Sequence, residues 1–163
     1  MSKSKYLNGL EEQNLTRGNT DKPLSFLPMV ITWGDCDAAG ISYYARYFDW
    51  FTNGRLHLLK KYGFPYMRSF HDRGIAVVGL KAQCQYKRML KPDEEVVLET
   101  TLANLTRTRA TFLYVVRKAD GSIAADGSTE HAFVDSGDGR PFDLNKRYPE
   151  FWKELHMMLS AAI

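Results

Sequence analysis

Two aspartates one residue apart, Asp35 and Asp37, stand in the segment Trp33 to Phe51, WGDCDAAGISYYARYFDWF. They follow a β-branched and aromatic run, Met29 to Gly34, which predicts a strand. They precede a long apolar-striped stretch that predicts a helix opening at Tyr43. A helix start carries free backbone N–H groups and a partial positive charge. A carbonyl lying near residues 43 to 45 would be polarised by those donors. Asp37, a few residues upstream, could then act on the carbonyl carbon or on a water beside it. A carboxylate with oriented N–H donors is a minimal apparatus for acyl transfer. The alternative is that Asp37 only shapes the turn, as Asp before a helix commonly does by capping it or bonding its own backbone.

Neighbouring residues offer other chemistries, and most fail on spacing. Asp35, Asp37 and Gly40 echo a calcium loop, but Ala39 and Arg46 occupy positions where oxygen ligands belong. Cys36 lacks a histidine within the motif to activate it. Asp35, nearer the strand, is expected to shape the turn by accepting backbone hydrogen bonds. His57, His71, His131 and His156 show no metal-ligand spacing, and surface or interface positions are expected for each. Cys84 is expected inside a strand and buried. Arg107 and Arg109 lie between two expected strands, and Arg88 and Lys91 lie in another connection. Each is either a solvated turn residue or part of a grip on an anionic ligand such as phosphate.

The elements that position these residues follow from periodicity. Tyr44, Tyr47, Phe48, Phe51, Leu58, Leu59 and Tyr62 recur at three- and four-residue spacings, so the helix spans Tyr43 to Tyr62 and stops at Gly63. Gly54 inside it costs about 1 kcal/mol against alanine, which makes sense if a strand crosses the helix there. Strands are expected over Ile75 to Lys87, Glu95 to Leu105, Thr111 to Lys118 and Ile123 to Val134, with a hairpin at Asp120-Gly121. Pro149 to Leu159 predicts a terminal helix. One long helix followed by successive strands, without βαβ alternation, predicts an antiparallel α+β domain.

Composition sets the outer limits. The chain has 163 residues, enough for one domain, and 44% hydrophobic with 25% charged residues is ordinary for a globular protein. The net charge of +3 gives no general affinity for nucleic acid. Two unpatterned cysteines, a polar N-terminal stretch and no long apolar run predict a cytoplasmic protein with no membrane segment. Residues 1–25 are expected to be an N-terminal extension and 26–163 the domain.

The motif Asp35-Cys36-Asp37, Ala39-Gly40-Ile41, Tyr43-Tyr44, Tyr47-Phe48 resembles the signature of the 4-hydroxybenzoyl-CoA thioesterase family. Tyr86, Leu90-Lys91-Pro92 and Asp93 resemble that family's strand-turn element, and the likeness runs from about Met29 to Pro141. It implies a hot-dog fold, an antiparallel five-stranded sheet wrapped around one long central helix. It implies hydrolysis of an acyl-CoA, aromatic or short-chain, with no metal or redox cofactor. Asp37 would be the catalytic carboxylate, as nucleophile or general base, and the Tyr44 N–H would polarise the thioester. Arg107, the best positional match, and Arg109, Arg88 and Lys91 would face the coenzyme A phosphates. A homo-oligomer, dimer or tetramer, follows from the same likeness. Two alternatives stay open: a thioesterase acting on an acyl carrier protein, and a binding module without catalysis.

Overall fold

The computed structural model describes residues 22–161. The expected extension, 1–25, falls outside them except for 22–25, and Leu24 and Ser25 belong to the first strand. Five strands form one antiparallel sheet: β1 (Leu24–Val30), β2 (Ile75–Tyr86), β3 (Glu95–Leu105), β4 (Arg109–Lys118) and β5 (Ile123–Asp135). Their spatial order is β1-β3-β4-β5-β2, so β1 and β2 are the two edges. The long helix α1 (Arg46–Lys61) lies against the sheet. Short helices α2 (Tyr66–Ser69) and α3 (Leu144–Arg147) and the terminal helix α4 (Pro149–Ala161) close one side. This is the hot-dog arrangement.

Helix α1 turns Tyr47, Trp50, Phe51, Leu58 and Leu59 into the core. Such side chains stabilise by about 1.5–3 kcal/mol each when fully buried. Phe51 stacks on Tyr114 of β4 with ring centroids 4.2 Å apart. Gly54 sits where β3 passes beneath. A Cβ there would meet the Thr100 hydroxyl and come within 2.6 Å of Leu98 Cδ2. The strand crossing expected from that glycine is therefore present. Gly127 of β5 plays the same part under Phe51, whose Cε2 would lie 2.7 Å from an added Cβ. Helix α4 adds Phe151, which packs edge-on against Phe64 and Phe70.

Several boundaries differ from expectation, and β4 begins at Arg109 rather than Thr111, so Arg109 opens that strand instead of lying between two. The first strand is Leu24–Val30, not Met29 to Gly34; Thr32 onward turns into a short 3-10 segment, Trp33–Asp35. Pairing decides this, because Leu27 lies opposite Leu98 and Pro28 opposite Val97 on an edge strand, where a proline is tolerated. The helix begins at Arg46, three residues late, because Tyr43 and Tyr44 are tied elsewhere. The Tyr43 N–H donates to the Asp35 carbonyl (2.8 Å), and the Tyr44 carbonyl accepts from the Tyr86 hydroxyl (2.6 Å).

Candidate active site

The loop from Thr32 to Ala45 is built as a braced double turn. Asp35 accepts from both the N–H and the hydroxyl of Thr32, each at 2.9 Å. Its other oxygen lies 3.3 Å from Arg46 Nε. Arg46 also donates to the Gly34 carbonyl at 2.7 Å and pairs with Asp49 at 3.1 Å. Asp35 is thus committed to structure, as its place near the strand suggested. Arg46, which sequence reasoning passed over, locks the loop to the first turn of α1. Its signal was faint: a basic residue in a first turn, where the dipole disfavours one, that instead serves the loop behind it.

Asp37 sits one turn further on. Its N–H donates to the Ile41 carbonyl (3.0 Å), its carbonyl accepts from Gly40 (3.0 Å), and Oδ1 accepts from the Ala39 N–H (2.8 Å). Gly40 takes a left-handed φ of 72°, which closes this turn. A bridge between Cys36 and Ser42 then folds the chain back. Asp37 is exposed, and its Oδ2 has no partner among the described residues. One oxygen is held by the turn and the other is free. The Asx-turn role and an outward-facing carboxylate therefore coexist in one side chain.

The backbone N–H groups of Tyr44 and Ala45 also take no partner among the described residues. They precede α1, whose N-cap is Ala45. Free donors therefore stand at the residues where the sequence placed them, in the turn before the helix rather than in its first turn. The rings of Tyr43 and Tyr44 lie 4.7 Å apart. The neighbouring Tyr44 phenol, then partial burial and the Asp37 carboxylate, raise the Tyr43 pKa above its ordinary value. Tyr43, Tyr44 and Asp37 thus share one electrostatic neighbourhood. Trp33 (72% exposed) and Met89 (67%) leave an apolar rim at this end of the sheet.

Cys36 donates weakly to the Thr32 carbonyl at 3.4 Å and serves the loop. Cys84, expected to be buried, is half-buried, and burial raises its thiol to about 11, so it rests protonated.

The four cationic candidates separate into two pairs. The Ser42 N–H donates to the Leu90 carbonyl (2.9 Å), which ties the Asp37 loop to the connection carrying Arg88 and Lys91. Arg88 donates to the Ile123 carbonyl at 2.9 Å, and both side chains are exposed. Arg107 and Arg109 lie at the other end of β3, in and just after the β3–β4 turn, also exposed. The eleven residues of β3, at about 3.4 Å each, separate the pairs by roughly 35 Å. Of these four, Arg88 and Lys91 are on the Asp37 side of the sheet.

One expectation is overturned inside the fold. His131, expected at a surface or interface, is buried at 4% exposure. It belongs to a hydrogen-bonded chain. Arg55 Nη1 donates to the Tyr114 hydroxyl (3.2 Å), Tyr114 and Thr129 hydroxyls lie 2.6 Å apart, and Thr129 Oγ1 is 2.8 Å from His131 Nε2. Burial, then the Arg55 charge, pushes His131 down to about 4, against a smaller upward pull from the Val78 carbonyl. The imidazole is neutral. The usable signal was parity: on β5, His131 shares a face with Ala125, Thr129 and Phe133, all buried.

Comparison with known proteins agrees with this architecture. The sequence model described as the thioesterase-like superfamily matches residues 31–154. A protein of Aquifex aeolicus, provisionally named an esterase, is 37% identical over 103 residues, 63% of this chain and 79% of its own length. The solved structure of a DHNA-CoA thioesterase from Staphylococcus aureus superposes with a TM-score of 0.77 at 24% identity, covering 82% of this chain and 89% of that one. A gentisyl-coenzyme A thioesterase superposes at 0.69 with 22% identity, covering 83% and 99%. At those identities the two structures speak for the fold, while the sequence match over 31–154 places this chain in the thioesterase-like superfamily.

Proposed function

We propose that this protein hydrolyses an acyl-CoA thioester, aromatic or short-chain, to the free acid and CoA, with Asp37 as the catalytic carboxylate. The observation that carries this reading is one loop holding both an Asp37 Oδ2 and the N–H groups of Tyr44 and Ala45 that have no partner among the described residues. The thioester carbonyl accepts from those donors, which stabilise negative charge developing on its oxygen. Oδ2 either attacks the acyl carbon, giving a mixed anhydride that water cleaves, or takes a proton from an attacking water. On both routes the C–S bond breaks, CoA leaves as thiolate and gains a proton, and Asp37 ends as carboxylate. Superposed structures named for CoA thioesters support the donor class.

The working unit proposed is a homo-oligomer. Edge strand β2 runs twelve residues, mostly exposed, with Val78 and Leu80 open at 37% and 49%. A long exposed edge is a template for pairing. Antiparallel pairing of β2 with its copy sets the Ile75 end of one subunit beside the Tyr86 end of the other. The Arg107–Arg109 end of one chain would then lie toward the partner's Asp37. CoA phosphates could be gripped by Arg88 and Lys91 from one side and by Arg107 and Arg109 from the other, consistent with the roughly 35 Å that separates the pairs in one chain.

The test is a panel of aryl, short-chain and long-chain acyl-CoAs, with acyl carrier protein thioesters beside them, assayed by thiol release. Light scattering on the same sample reads the assembly. Aryl or short-chain CoA turnover by a dimer or tetramer is expected. Tight binding of acyl-CoA without release of thiol would instead establish a binding module, and a monomer would rule out the shared site.

A further inference from the structure

A groove of about 380 Å³ opens between α1 and edge strand β2, with Phe48, Thr52, Arg55, Leu80, Thr129 and His131 in its walls. None of these residues enters the chemistry at Asp37. Among the described residues two cations line it, the exposed Lys81 on its β2 wall and Arg55, which is half-buried and has an incomplete set of partners. Of the five N–H bonds of a guanidinium, those with described partners go to neutral hydroxyls: Tyr114 at 3.2 Å and Thr52 at 3.4 Å. No carboxylate pairs with it among the described residues, whereas Arg117 and Arg147 each have one and Arg46 has two. The groups packed behind it are hydroxyls and a neutral imidazole, so they orient the guanidinium without compensating its charge.

The groove also lies in line with the reacting centre. Phe48, Thr52 and Arg55 follow the spacings of four and three that keep residues on one helix face, and Tyr44 stands in the turn that leads into it. Arg55 leans back one turn to reach Thr52 Oγ1, so its head stands near the level of Thr52. From Arg46, the first helical residue, to Thr52 is about 9 Å at a rise of about 1.5 Å per residue, and the tighter turn that carries Tyr44 and Ala45 adds about 3–4 Å. Hydrogen bonds of about 3 Å at each end leave about 6 Å for the acyl group itself. Phe48 lies midway as an apolar wall for its methylenes.

Resting on the thioesterase reading above, we propose that this groove is the acyl subsite and that Arg55 selects acyl groups ending in a carboxylate, of the short α,ω-dicarboxylic class. A carboxylate matches the planar fork of a guanidinium and accepts two parallel bonds from it. The Arg55–Tyr114–Thr129–His131 chain holds that fork in place. The groove flanks the β2 edge, so a second copy paired there would wall it off from water and strengthen the contact.

Two measurements test this. The first compares kcat/KM for adipyl-CoA and hexanoyl-CoA, matched in length, in wild type, Arg55→Met and Arg55→Lys. Wild type should favour adipyl-CoA about tenfold or more, as a charge-assisted contact allows. Arg55→Met should lose that preference while keeping hexanoyl-CoA turnover within a few-fold, and Arg55→Lys should restore part of it. The second needs no variant and no turnover: the Arg55 Nε–Hε resonance of wild type is titrated with adipamic acid, against adipamide as neutral control. A shift with the acid alone is expected. Equal turnover of the two thioesters, with no shift, would overturn the carboxylate subsite and leave the thioesterase reading standing. A shift in a protein that hydrolyses no thioester would overturn the assignment as an acyl subsite together with that reading. Loss of assembly in Arg55→Met without change of selectivity would give Arg55's counterion to a second subunit, and the proposal would fall.

Discussion

Lowering the pH should destabilise the fold through His131. Burial and the Arg55 charge hold this imidazole at about 4, against 6.5 for an ordinary histidine. Between those values the unfolded chain binds a proton that the folded chain refuses, so stability falls as pH falls. Above about 6.5 the effect is absent, and below about 4 it is complete. Each tenfold difference in proton affinity between the two states is worth about 1.4 kcal/mol, which makes the full loss about 3 kcal/mol. That is a large part of the roughly 5–15 kcal/mol typical of a domain. Charging His131 would also set a second cation behind Arg55. The assay is urea denaturation from pH 7.5 to 4.5 on wild type and His131→Gln. His57, also held below its ordinary value by burial and by Lys61 and Lys60, is present in both, so the difference between them isolates His131. Wild type should lose stability relative to the variant as pH falls through this window. Parallel curves would mean that the imidazole titrates normally and the hydrogen-bonded chain is wrongly drawn.

Three further outcomes follow from named contacts. Gly54→Val should destabilise by about 1–3 kcal/mol or more by overpacking, because even one added carbon meets Thr100 and Leu98; an unchanged urea midpoint would place β3 farther from α1. Tyr44→Phe should keep most activity and Tyr44→Pro lose about 10²–10³-fold, the usual worth of one oxyanion donor; circular dichroism checks the fold first, and full activity in a folded Tyr44→Pro would move the oxyanion site elsewhere. Arg107→Ala and Arg109→Ala should raise KM for CoA esters more than they lower kcat, since phosphate contacts contribute uniform binding; wild-type kinetics at low salt would leave the phosphates to Arg88 and Lys91.

Much of this was legible in the chain because one periodicity ruled at a time. β3 was expected at Glu95 to Leu105 and is found there, since its alternation faces one buried side and its ends are set by turns. Gly54 hinted at a crossing strand because a glycine inside a helix is costly and makes sense where something packs tightly against its backbone. The errors came where long-range bonds outvoted local pattern. Val30, Ile31 and Thr32 look like a strand, but partners on β3 exist only up to Val30 opposite Glu95. Tyr43 and Tyr44 look helical, but Asp35 in the same loop and Tyr86 at the far end of β2 claim their backbone. Arg55 and His131 were invisible as a pair because four elements' worth of chain separates α1 from β5. The split of the four cations between the two ends of β3 likewise needs the hairpins, not the spacing.

The proposed function stands or falls on Asp37, with one oxygen held by Ala39 and the other free to act. Asp37→Asn keeps the shape and removes the charge and basicity. The direct measurement is thiol release from whichever acyl-CoA wild type turns over best, by wild type, Asp37→Asn and Asp35→Asn, with CoA-ester binding and urea stability measured on the same preparations. Asp37→Asn should bind the ester and fold like wild type but lose most hydrolysis. Asp35→Asn, robbed of its hold on Thr32 and Arg46, should lose stability first. Hydrolysis by Asp37→Asn at the wild-type rate would refute the catalytic role of this carboxylate.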